Sequence, residues 1–232
     1  MTDETGSAQN MTEELPYGEE SRAAFSSERG VKLLQQDGSH AAIFPKRNIT
    51  QKPSVVGTIK DEQGSVLIRI AGVAGESIVD GPGIRFTIFT QGCKHYCPGC
   101  HNPQTHAFDG GKLVTVESVL EQIRKNPLLD GITLSGGEPF EQAEACSVLA
   151  KAVHEMKLNV MTYSGYTFEE ILAGEADRPG WKELLRETEI LVDGRFEQAG
   201  RNLLLKFRGS GNQRLLDVKK SLREGKAVSA EI

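Results

Sequence analysis

Apolar positions in the last two thirds of the chain fall into short runs of two different periods. Val66, Leu67, Ile68 and Ile70 form a β-rich run that opens near Ser65, and the turn-forming stretch Asp80-Gly81-Pro82-Gly83 follows it. Arg85 to Thr90 (RFTIFT) supplies β-branched and aromatic residues for a second strand. Val116, Val119, Leu120 and Ile123 then recur at helical spacing, and Gly131 to Leu134 reads as the next strand. Further on, the pattern predicts a helix over Phe140 to Met156, a strand around Leu158 to Tyr163, and a short helix that Thr167 and Glu170 start as a capping box. Glu189 to Val192 makes another strand, and Arg214 to Leu222 is read as a final helix. Strands alternating with helices predict an α/β fold with a mainly parallel sheet. The functional loops of such a sheet gather outside the carboxyl ends of its strands, where Gly92 releases the chain into a cysteine-rich loop and Ser135-Gly136-Gly137-Glu138-Pro139 leaves the next strand.

The first third lacks this order. Residues 1 to about 30 carry seven acidic side chains against Arg22 and Arg29, with few apolar residues between them, which is the composition of a disordered tail. From Val31 to about Gln63 apolar pairs are interrupted by Gly38, Pro45, Pro53 and Gly57 without a sustained period. The organisation expected is therefore an N-terminal extension over residues 1–64, largely disordered, and an ordered domain over residues 65–232.

Composition narrows the function class. Hydrophobic residues are 38% of the chain and charged residues 25%, and no apolar run is long enough to span a bilayer. A formal charge of -5 disfavours general nucleic-acid binding, which needs a Lys/Arg excess to displace counterions. No secretory or transit signal opens the sequence, so a cytoplasmic location is expected.

Three of the four cysteines fall within eight residues, the opposite of a dispersed disulfide framework. Cys93-Lys94-His95-Tyr96-Cys97-Pro98-Gly99-Cys100 places three thiols on a loop short enough to wrap a compact inorganic core, with Pro98 and Gly99 shaping the turn. Four thiolates would saturate a 4Fe-4S cluster, whereas three leave one iron open to an external ligand. Cys146 shares a predicted helix face with Leu149, Val153 and Met156, so it reads as a core residue rather than a fourth ligand. The alternative for the triplet is a zinc site completed by His95, His101 or His106; zinc ligands usually come as two separated pairs, and one tight triplet favours iron-sulfur.

The cysteine loop, with aromatic Tyr96 before its second cysteine, resembles the CxxxCxxC motif of the radical S-adenosylmethionine superfamily, and Ser135 to Pro139 resembles the same superfamily's GGEP motif. The resemblance implies a partial (β/α) barrel, a 4Fe-4S cluster held by Cys93, Cys97 and Cys100, and S-adenosylmethionine bound at its open iron. It associates Gly99, Cys100, His101, Gly136, Gly137, Glu138 and Ser164 with the cofactor and assigns no side chain a catalytic role. Val79 to Arg85 and Cys100-His101-Asn102-Pro103 resemble glycyl-radical activating enzymes generally. Ser164 to Glu170, Leu191 to Gly194, and Phe207 to Ser210 with Asn212 to Arg214 resemble the activases of anaerobic ribonucleoside-triphosphate reductase. The implied partners are that reductase, or alternatively pyruvate formate-lyase or a related glycyl-radical enzyme, together with a low-potential electron donor such as flavodoxin or ferredoxin.

Overall fold

A computed structural model describes residues 58–232, so most of the expected disordered extension lies outside the described residues. The described chain begins as a small turn in which Lys60 bridges Val66, with the Asp61 carboxylate accepting from the N–H groups of Gln63 and Ser65.

Seven strands form one sheet: β1 (Leu67–Ser77), β2 (Arg85–Thr90), β3 (Lys112–Thr115), β4 (Gly131–Gly136), β5 (Asn159–Tyr163), β6 (Ile190–Asp193) and β7 (Arg214–Asp217). The spatial order is β3-β1-β2-β4-β5-β6-β7. Only the centre matches the expected parallel sheet. β2, β4, β5 and β6 run parallel, whereas β1 pairs antiparallel with both β2 and β3, and β7 pairs antiparallel with β6. The burial of the centre explains the near-continuous apolar runs there: Phe86, Ile88, Ile132, Leu134, Val160 and Leu191 are all buried.

The helices α1 (Val116–Arg124), α2 (Ala143–Glu155), α3 (Phe168–Gly174), α4 (Trp181–Arg186) and α5 (Val218–Glu224) cover this centre, α2 packing between α1 and α4. Helix α1 starts where Thr115 Oγ1 accepts from the N–H of Ser118, and it buries Val116, Val119, Leu120 and Ile123. In α3 both halves of the Thr167 and Glu170 capping box are formed.

The segment expected as one final helix is divided. Arg214–Asp217 is strand β7, with Leu216 opposite Leu191, and α5 begins only after Asp217, whose carboxylate accepts from the N–H of Lys220. The apolar Leu215 and Leu216 are drawn to the open edge of β6, and the Asp217 cap then starts a helix. The short edge strand β3 and helix α4 were not expected. Trp181 of α4 is buried and donates its Nε1–H to the carbonyl of Phe140 at 2.8 Å, so tertiary packing holds a helix of only six residues.

Arg85 fastens the turn at residues 80–83 to the sheet. It is fully buried and donates to Thr133 Oγ1 at 3.1 Å, to the carbonyl of Ile132 and to the side chain of Asn159. Burial pulls its guanidinium down to about 10 against the opposing pull of Asp130. Asp80 is thereby fixed against the middle of the central strands, its carboxylate accepting from Thr87 Oγ1 at 3.1 Å and its carbonyl from Thr133 Oγ1 at 2.8 Å.

Candidate functional site

The end of β2 delivers Gln91, Gly92 and Cys93 into a loop that closes on itself. Gly92 donates to the carbonyl of Thr105 at 2.8 Å, Cys93 to that of His106 at 3.1 Å, and Cys100 to that of Cys97 at 3.1 Å. The Gln91 carboxamide ties down the carbonyls of Gln104 and Ala107. Tyr96 sits at φ 49, a left-handed conformation that costs a bulky residue energy and that the surrounding bonds must hold. Within this loop the Cys93 thiol is buried, and those of Cys97 and Cys100 are half-buried.

All three thiols border one cavity of about 460 Å³, whose wall also includes His101, Gly136, Gly137 and Ser164. Seven of the nine residues expected at a cofactor site are thus brought together. Gly99 and Glu138 do not line the cavity. At φ 73, Gly99 shapes the turn between Cys97 and Cys100, and a Cβ there would come within 3.1 Å of Gln198.

The two glycines of the second loop answer to close backbone approach. Gly137 donates to the carbonyl of Thr90 at 2.8 Å and Glu138 to that of Gly92 at 2.9 Å, which lays this loop directly on the start of the cysteine loop. A Cβ on Gly137 would sit 2.6 Å from the Gly92 oxygen, and one on Gly136, at φ 89, 2.6 Å from the Phe89 Cα. Neither position has room for a side chain.

Glu138 points inward and is fully buried. One carboxylate oxygen accepts from Ser164 Oγ at 3.0 Å and the N–H of Phe140 at 3.1 Å; the other accepts from His95 Nε2 and the N–H of Gly165, both at 2.8 Å. It joins the cysteine loop, the turn before α2 and the end of β5. All four of these hydrogen bonds come from protein donors.

Electrostatically the cavity wants a ligand. Burial, with Glu138 adding to it, pushes the Cys93 thiol up to about 12; burial also pushes Cys97 up, against the N–H of Phe196. Such thiols become thiolates only against a positive countercharge, which a metal centre provides. Among the described residues, four buried side-chain polar atoms lack a partner, and three of them, His95 Nδ1, His106 Nε2 and Arg208 Nε, belong to residues lining this cavity. Three soft thiolate donors spread along a cavity wall suit an iron-sulfur core. No three His, Cys, Asp or Glu side chains among the described residues converge on a point that would hold a single metal ion. Cys146 is fully buried among core residues of α2, with burial raising its thiol, as its helical spacing predicts.

Sequence reasoning missed Phe196, Phe207 and Arg208 as cavity residues, and Tyr163 likewise. Phe196 and the His101 ring pack with centroids 4.9 Å apart. These side chains lie on strand ends or in irregular segments where no period marks them, and only the position after a central strand is a signal.

Residues 79–216 match the model of a family described as a 4Fe-4S single cluster domain. The chain is also similar to proteins called anaerobic ribonucleoside-triphosphate reductase-activating protein. The one from Salmonella typhi is 32% identical over 144 residues, which is 59% of this chain and 90% of the relative. Its counterpart from Escherichia coli strain K12 is 33% identical over 147 residues, with 59% and 90% covered. The one from Enterobacteria phage T4 is 34% identical over 145 residues, with 59% and 86% covered.

Proposed function

Since the chain belongs to the 4Fe-4S single cluster family and matches the anaerobic ribonucleoside-triphosphate reductase-activating proteins over most of their length, we propose that it is an activase that installs a glycyl radical on that reductase. The observation that carries the reading is the shared cavity, where three thiols meet two backbone-exposing glycines. Cys93, Cys97 and Cys100 would hold the 4Fe-4S cluster, with S-adenosylmethionine bound in the same cavity. When bound, the reduced cluster would supply an electron for reductive cleavage of S-adenosylmethionine to methionine and the 5′-deoxyadenosyl radical, the hydrogen-abstracting group for a glycine of the reductase.

The protein's own part is binding, orientation and exclusion of water. Gly136 and Gly137 bring backbone close to the cofactor, with Ser164, His101 and the backbone of Gly99 completing its surroundings. Arg208 offers a cation to a carboxylate. Glu138 is a positioning residue that holds Ser164, Gly165 and His95 in place. The parallel centre of the sheet and its covering helices support a partial (β/α) barrel of radical S-adenosylmethionine type over residues 65–232, with residues 1–64 as an extension. No described helix is long and apolar enough to cross a membrane; the activase reading puts the protein in the cytoplasm, where flavodoxin or ferredoxin would supply the electron.

The test is to purify the protein anaerobically, measure iron, sulfide and zinc, then reduce it with S-adenosylmethionine and the reductase and record the electron paramagnetic resonance spectrum. A glycyl-radical doublet on the reductase is expected. A doublet only with pyruvate formate-lyase would reassign the partner, and colourless protein carrying one zinc would overturn the reading.

A further inference from the structure

The cavity has an apolar and basic lip that the chemistry inside it does not use. Between β6 and β7 the chain makes an irregular loop whose Leu205, Phe207 and Arg208 line the cavity, while Leu203 and Leu204 face outward, 82% and 92% exposed. This tip is built, not frayed. Asn202 accepts from the N–H of Leu204 through its side chain at 2.9 Å and donates its own N–H to the carbonyl of Gly209. The Gln213 carboxamide accepts from the N–H groups of Gly209 and Ser210 and donates to the carbonyl of Gly194. Two adjacent leucines are therefore held out in water by a hydrogen-bonded turn. A second loop on the same cavity does likewise: Val79 lines it and is 72% exposed, and neighbouring Ile78 is 76% exposed. Scattered exposed apolar residues need no explanation, but paired ones on two loops bordering a single site mark an interaction surface.

Charge tells which kind of partner. From Arg195 to Arg208 the loop carries four cations, Arg195, Arg201, Lys206 and Arg208, against the one carboxylate of Glu197, in a chain whose formal charge is -5. A local reversal of sign beside exposed leucines fits a polypeptide that presents apolar side chains flanked by carboxylates.

We propose that the Leu203-Leu204 tip, with Arg201 and Lys206 beside it and Ile78-Val79 on the second loop, is the docking surface for the reductase, gripping a segment of it that presents apolar side chains flanked by carboxylates. The proposal rests on the activase reading above and adds where the protein substrate is held. Docking also covers the cavity mouth, which keeps water from a reactive intermediate.

The test uses the full, cluster-loaded chain and the variants L203S/L204S and R201E/K206E. Both are expected to retain the parent's iron content, S-adenosylmethionine affinity, and yield of 5′-deoxyadenosine on reduction without reductase. Affinity for the reductase should fall by about tenfold or more in each, and the glycyl-radical doublet at limiting reductase should fall with it and recover when reductase is raised. R201E/K206E should also lose most of the parent's salt dependence of binding. Unchanged reductase affinity in both variants would overturn the proposal. So would a parent dimer that the leucine variant dissociates at unchanged reductase affinity, which would give the tip to a second copy. A parent that cleaves S-adenosylmethionine but never marks the reductase would overturn the activase reading itself, and is distinguished by being seen before any variant is compared.

Discussion

Replacing Glu138 by glutamine removes almost no volume yet breaks the junction of three loops. Each carboxylate oxygen accepts from two donors: Ser164 Oγ and the N–H of Phe140 on one side, His95 Nε2 and the N–H of Gly165 on the other. A carboxamide keeps one acceptor oxygen and turns the other into an NH₂ that faces two donors. The Ser164 hydroxyl can rotate and the His95 ring can change which nitrogen carries its proton. The backbone N–H of Phe140 or of Gly165 cannot turn away. Whichever way the carboxamide lies, one buried N–H is left against an NH₂, and a charge-assisted bond is lost besides. Charge-assisted hydrogen bonds are worth about 1.5–3 kcal/mol and an unsatisfied buried donor costs about 1–3 kcal/mol; the two overlap, because the stranded donor is one of those that lose their bond, so Glu138→Gln should destabilise the fold by roughly 2–4 kcal/mol, less than their sum. With a urea slope of about 2 kcal/mol/M for a domain of this size, the unfolding midpoint of the metal-free protein should drop by about 1–2 M. A midpoint within about 0.25 M of the parent's would refute the claim that this carboxylate is a buried hub.

Cys146→Ser should cost about 1–3 kcal/mol, because it puts a hydroxyl without a partner into the core beside Leu149, yet leave iron and sulfide per chain at the parent's level. Folded Cys146→Ser protein that had lost its iron would make the residue a ligand after all. Glu189 governs part of the acid limb of stability. Burial pushes its carboxyl up, but the N–H of Val160, Lys219 and His154 more than offset this and hold it below its ordinary 4.5. A depressed folded value means that the unfolded chain takes up the proton first as pH falls. Its contribution is therefore complete above about 4.5 and is lost as pH drops through the lower folded value. Glu189→Gln should accordingly be less stable than the parent near neutrality and lose less on acidification; parallel stability-pH curves would show that the ion pairs contribute nothing.

The elements legible in the sequence are those whose signal is local. The buried stripe of α1 is written as Val116, Val119, Leu120 and Ile123, the capping box of α3 as Thr167 and Glu170, and β2 as an uninterrupted β-branched and aromatic run. Elements held by partners far along the chain escape this reading. β7 is a strand because β6 offers it an edge, and α4 exists because Trp181 reaches the Phe140 carbonyl. The same division explains the site. Thiol spacing in the cysteine loop is a local signal, and the chemistry it implies survives in the folded chain as three thiols on one cavity.

Whether a residue faces the cavity or serves the scaffold is a different kind of fact. A motif records that Gly137 and Glu138 are neighbours; it does not record that Gly137 has no room for a Cβ against Gly92 or that the Glu138 carboxylate turns the other way. Adjacent residues in an extended stretch point to opposite sides, so a functional motif lining a cavity must send alternate side chains into the structure behind it. Where such a side chain is charged, its buried face has to be supplied with donors from elsewhere, here from β5 and the cysteine loop. Glu138 thus makes the position of Ser164 depend on His95, and the cysteine loop and the end of β5, some seventy residues apart in sequence, hold each other in place.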